Sequence, residues 1–164
     1  HWQNLFSHTM AAIVADALDE PSYSSVVQKV MDPKSVSRLL SELAEKGQLD
    51  LVYWLCAVSV NQHCSICGGC VCGRSEKDTV LGTAFEACHC GTPKYSAGDL
   101  CEMNKFSDMM DFLCREVPNF GQVVAVDRHF VIFSRAWCIA ELAQANVSGM
   151  AQSLKFHSRD SVDE

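Results

Sequence analysis

Two constellations in this chain carry residue types that do chemistry. The first is Cys64-x2-Cys67-x2-Cys70-x-Cys72, followed by Cys88-His89-Cys90 and Cys101, with His63 just ahead of it. Thiolates and imidazoles at this density suit zinc, which takes four such ligands in a tetrahedral structural site. The surrounding segment is polar and Gly-rich, so it lacks an apolar core of its own, and a metal would supply the means of ordering it. The set that ties both ends of the segment together is Cys67, Cys88, Cys90 and Cys101, with His63 or Cys64 as substitutes. Free thiols are the alternative, or disulfides in an oxidising compartment. The surplus of thiolates favours a structural ion over one with an open catalytic position.

The second constellation is Ser134-Arg135-Ala136-Trp137-Cys138-Ile139-Ala140-Glu141-Leu142, which follows the apolar run Phe130–Phe133. It reads as the opening of a helix that starts beside the end of a buried strand, the edge at which α/β sheets collect ligands. Glu141 is then a single carboxylate two turns into that helix. Arg135, at the helix start, could meet a phosphate together with the free backbone N–H groups there. Ser134 reads as an N-cap, because no Gly-x-Ser-x-Gly elbow surrounds it. Trp137, Cys138 and Leu142 are expected on the packed side. The bland alternative makes Glu141 a solvent-facing helix residue and Arg135 a surface one.

The elements that must position these residues follow from periodicity. Residues 4–19 place Leu5, Phe6, Met10, Ile13, Val14, Ala17 and Leu18 on one helical stripe that stops at Asp-Glu-Pro. Residues 22–31 are ambiguous, a short helix being one reading. Ser35 is the expected N-cap of a helix over 36–46, closed by Gly47. Residues 49–60 are too continuously apolar for a one-sided strand and predict a central strand buried on both faces. Asn61, Gln62 and His63 would lie just past its carboxyl end, facing a ligand or bonding the loop backbone. A helix over 104–115, a buried strand over 120–126, a short strand or connector at 130–133 and the Glu141 helix over 135–147 complete the order. The prediction is one α/β domain over 1–150, a sheet with helices on both faces, interrupted by a Cys-rich insertion at 64–101 and followed by a polar tail at 151–164. A strand expected ahead of residue 4 is missing.

Composition narrows the function classes. The 164 residues are 48% apolar, which suffices for one domain with a core. A net charge of −7 argues against an electrostatic nucleic-acid binder. Arg128, Arg135, Lys155, His157 and Arg159 are the only candidates for a basic patch and read as scattered surface charge. No apolar run reaches the ~18 residues of a membrane span, and the first residues lack the pattern of a secretory leader. Cys56, Cys114 and Cys138 sit in apolar patterns, as reduced thiols do. The expectation is a cytoplasmic domain.

With those residues in view, the Glu141 segment resembles the Ser-x-Trp-Cys-x-x-Glu-Leu signature of Toll/interleukin-1 receptor (TIR) domains, especially the plant type. Tyr53-Trp54-Leu55-Cys56-Ala57-Val58-Ser59-Val60-Asn61-Gln62 resembles the Trp-x-Asp-x-x-x-x-Asn-Gln strand of heterokaryon-incompatibility domains, with Cys56 where that pattern has an acid. His1-Trp2-Gln3-Asn4-Leu5-Phe6 is similar to the segment following the first strand in uncharacterised protist and algal proteins of this kind. The resemblance implies a flavodoxin-like, three-layer parallel sheet. It implies for Glu141 alone the role of the acid that helps cleave the nicotinamide–ribose bond of NAD; Asn61, Gln62 and Arg135, placed by the reading above at the strand end and the helix start, would then line the nucleotide site. That chemistry needs only one carboxylate, since a cationic nicotinamide leaves without a general acid and the acid stabilises an oxocarbenium-like state. The non-enzymatic alternative is a signalling module of the same fold that works by homotypic self-association.

Overall fold

A computed structural model describes residues 6–55, 59, 63, 88–95 and 97–158. The chain forms two compact units, one built from Phe6–Tyr53 and the residues from Cys114 onward, the other spanning Trp54–Leu113.

The first unit is mixed α/β. Helix α1 (Phe6–Ala17) buries Ala11, Ala12 and Ala15, small residues that let neighbouring backbone approach. It packs on α2 (Ser24–Met31), and Tyr23, Val26 and Val27 complete the cluster, with Val14, Val30 and Ala125 against it. Helix α3 (Pro33–Glu45) starts one turn earlier than the sequence suggests. Its cap is Asp32, not Ser35. The Asp32 carboxylate accepts from the Lys34 N–H at 3.2 Å and from the Ser35 hydroxyl at 2.5 Å, and Pro33 fills the first helical position, where its missing N–H costs nothing.

The sheet has two strands among the described residues, β1 (Gly121–Val126) and β2 (Ala151–Phe156), paired in parallel with Gly121 opposite Ala151 and Val126 opposite Phe156. At Gly121 a Cβ would come within 3.0 Å of the Ala151 carbonyl, so glycine permits the close start of the ladder. Val124 and Val126 are buried on one face, while Ala125, on the other by alternation, packs on the α1–α2 cluster. Beyond β2, Ser22 makes a single parallel bridge with Phe156. The β1–β2 crossover carries a 3-10 turn (Val131–Ser134) and helix α5 (Ala136–Val147), as parallel strands require. α5 ends in a Schellman closure: Met150 N–H bonds the Ala145 carbonyl, Gly149 N–H bonds that of Asn146, and Gly149 takes φ +66°.

β2 corrects the reading of 151–164 as a polar tail. Gln152, Ser153 and Lys155 make the segment look solvent-bound, yet Lys155 is only 5% exposed. Its ammonium lies 3.4 Å from an Asp16 carboxylate oxygen, so a charge that marks a surface in sequence is neutralised inside.

In the second unit, helix α4 (Glu102–Glu116) begins; its last turn, from Cys114, belongs to the first. The central strand expected over 49–60 is not formed by the described residues. Leu51 and Val52 are exposed, Val52 almost fully, and the Ser59 N–H bonds the Leu55 carbonyl at 3.0 Å rather than a neighbouring strand. The aromatic pair explains the misreading: Tyr53 bonds Asp16 in the first unit, and Trp54 sits 5.8 Å from the Phe106 ring in the second. An unbroken apolar run does not distinguish a two-faced strand from a segment whose side chains go to separate places.

Candidate metal centre and the Glu141 helix

In the second unit, three soft ligands converge. The Nδ1 or Nε2 of His63 and the Sγ atoms of Cys88 and Cys90 lie within 4.8 Å of one another. Cys88 Sγ is 3.5 Å from His63 Nδ1. For zinc with Zn–S of about 2.3 Å and Zn–N of about 2.05 Å at the tetrahedral angle, the S···N edge is about 3.6 Å, so the pair is already spaced as two ligands of one ion. Cys88 and Cys90 stand two residues apart in the chain, and His63 lies with them. The donor set fits zinc, a borderline-soft cation.

A lysine bridges the two segments. Lys94 donates to the His63 carbonyl at 2.5 Å and to the Thr92 carbonyl at 3.0 Å, and its ammonium stands 3.8 Å from Cys90 Sγ. Lys94 is invisible to a reading based on ligand spacing, because its role comes from a loop geometry that the sequence does not display.

Of the four cysteines expected as ligands, Cys88 and Cys90 meet, and His63 joins them. Cys101 is not in the group. It is 1% exposed at the foot of α4, with its N–H bonded to the Gly98 carbonyl. Cys67 and the substitute Cys64 lie outside the described residues, as do Asn61 and Gln62.

In the first unit, Glu141 lies in the second turn of α5, half-buried. The residue ahead of the helix is Arg135, in an extended conformation, and the first intrahelical bond runs from the Ile139 N–H to its carbonyl. Ser134 is not the cap: its hydroxyl donates back to the Val131 carbonyl at 2.8 Å, inside the 3-10 turn. Asp127 does the local organising instead, its carboxylate accepting from the N–H groups of His129, Val131 and Ile132 at 3.0, 3.1 and 3.1 Å. One turn before Glu141 is Cys138. Burial raises its thiol pKa and the Glu141 carboxylate adds to the rise, against the pull of Arg135. A thiol so held is a poor nucleophile. Trp137, expected in the core, is 51% exposed, while Cys138 and Leu142 are half-buried. The one residue of the helix that is fully buried is the small Ala145.

No protein-family profile, curated protein or solved structure matches this chain. Among the described residues no helix is long and apolar enough to cross a membrane.

Proposed function

We propose that this chain is a zinc-stapled α/β module of TIR-like type, in which His63, Cys88 and Cys90, with a fourth ligand from the Cys-rich segment, hold a structural ion. The 3.5 Å approach of Cys88 Sγ to His63 Nδ1, inside a three-ligand group, supports the zinc assignment; the TIR-like type rests on the sequence resemblance alone. Bound there, zinc would cross-link residue 63 to residues 88–90 and order the polar segment between them, work that its few apolar side chains cannot do. The module's role is interaction and signalling, with homotypic self-association as its mode. Metal analysis of protein purified without chelator should return about one equivalent of zinc, and Cys88→Ser or Cys90→Ser should lose most of it. Less than about half an equivalent in the unmodified protein overturns the reading.

A second reading is favoured by the half-buried carboxylate on the crossover helix: cleavage of the nicotinamide–ribose bond of NAD, with Glu141 as the acid. Glu141 would stabilise the oxocarbenium-like ribose, and Arg135 would meet a phosphate at the helix start. The three-layer sheet implied by the TIR-like motif belongs to this reading. Nicotinamide release measured for the unmodified protein and Glu141→Ala decides it. The expected result is turnover that falls at least a hundredfold in the variant, the order of loss for one transition-state charge contact; no turnover, or equal turnover by both, sinks it.

A further inference from the structure

At the carboxyl end of the two parallel strands, side chains from three elements crowd together. His8 comes from α1, Tyr23 from the turn before α2, and His157 from the residue after β2; Asp127, Arg128 and His129 follow β1 directly. The His8 and His157 ring centroids are 5.8 Å apart, and the Tyr23 ring meets His157 edge-on at 5.5 Å. Backbone bonds fix the arrangement, since the His157 N–H donates to the Val126 carbonyl and the Ser24 N–H to the His157 carbonyl, both at 2.9 Å.

The other polar groups at the cluster have their hydrogen bonds already committed, although Asp127 keeps its charge. Asp127 has both carboxylate oxygens on backbone N–H groups, and the Tyr23 hydroxyl donates to the Val126 carbonyl at 3.2 Å. What remains is one guanidinium and three imidazoles, with Arg128 and His129 exposed and His8 and His157 half-buried. The Nδ1 of His157 is buried and has no hydrogen-bond partner among the described residues. We propose that this strand-end cluster is a phosphate-recognition site, with His8, Arg128, His129 and His157 as the groups that receive a phosphoryl dianion. The carboxyl edge of parallel strands is the usual ligand position in such sheets, and a dianion with several acceptor oxygens matches a guanidinium beside several imidazole N–H donors. The electrostatics agree. Burial holds the His157 pKa below its ordinary value, and the charges of His8, Arg128 and His129 push the same way against a smaller opposing pull from Asp127. A bound anion would reverse that balance.

The cluster contains no metal candidate and not Glu141, so its fate is independent of both readings above. The test follows the imidazole Cε1–H signal of His157, assigned with His157→Gln, by NMR at constant ionic strength. The probes are sodium phosphate and adenosine monophosphate, with sodium chloride as the control. Phosphate should move the His157 midpoint upward by roughly one pH unit, saturably. Arg128→Ala/His129→Ala, which alters two exposed residues, should weaken that binding at least about tenfold while leaving the amide spectrum dispersed. Tighter binding of the nucleotide identifies a nucleotide phosphate as the ligand; equal binding identifies free phosphate. A shift no larger than that from chloride, binding of the nucleotide without phosphate, or undiminished binding by the double variant overturns the proposal. If His157→Gln fails to fold, the double variant and the chloride control decide the matter alone.

Discussion

Asp16 shows how much one half-buried carboxylate can organise. Its Oδ1 accepts from the Ser153 hydroxyl at 3.1 Å and pairs with the Lys155 ammonium at 3.4 Å, while Oδ2 accepts from the Tyr53 hydroxyl at 2.9 Å. Burial, then the bond to Asp16, drives the Tyr53 phenol well above its ordinary pKa. Desolvating a charge is expensive, and a buried pair broken on one side leaves the other charge uncompensated. Asp16→Ala strands a lysine whose side chain is 6% exposed and should cost about 3 kcal/mol in denaturant unfolding. Lys155→Met is the milder change, costing less than half as much, because the carboxylate keeps two hydroxyl donors and is itself partly wetted. Equal losses for the two variants would mean that the pair adds nothing beyond the volume of its side chains.

Among the elements, those legible in the sequence are the ones whose periodicity and punctuation agree. α1 was marked by its helical period and by Asp19-Glu20-Pro21, although the face it buries is Ala11, Ala12 and Ala15 rather than the expected stripe, whose Phe6 is exposed. α4 was marked by Phe106, Met109, Met110, Leu113 and Cys114 before Pro118, with Met109 exposed rather than packed, and β1 by its run of Val and Ala ending at Asp127. The misreadings share a cause. The 49–60 run was apolar without period, β2 was polar yet paired and buries Lys155, and Trp137 was apolar without being buried, so tertiary partners that no local pattern specifies decided each. The same holds at the metal centre. Cys88 and Cys90 were visible as a pair, but choosing His63 and excluding Cys101 depended on where the chain returns. Caps follow the rule too: Gly47 was an evident stop, whereas at the end of α1 the left-handed position falls to Asp19, at φ 60°, a residue that tolerates it without announcing it.

For the molecule as a whole, the connectivity sets the terms. The α/β unit is discontinuous, and the segment holding the metal candidates is a stretch of about 60 residues inserted between Tyr53 and Cys114. Loop-closure cost rises only with the logarithm of length, so even doubling the effective closure adds about 0.6 kcal/mol. Chelation should therefore strip hydrogen-exchange protection from residues 88–95 while the β1–β2 amides keep theirs; simultaneous loss of both would show that the units unfold as one. The pairing of Asp16 with Ser153, 137 residues away, has a further consequence for biosynthesis. While the chain is being made, α1 and α2 emerge early, but the strand that completes their packing comes after the whole Cys-rich stretch has left the ribosome. The α/β core must therefore wait, its apolar helices uncovered, until residues 151–157 arrive. That delay leaves apolar helix surface uncovered during synthesis, and an early stop before β2 would remove the strand that completes the core.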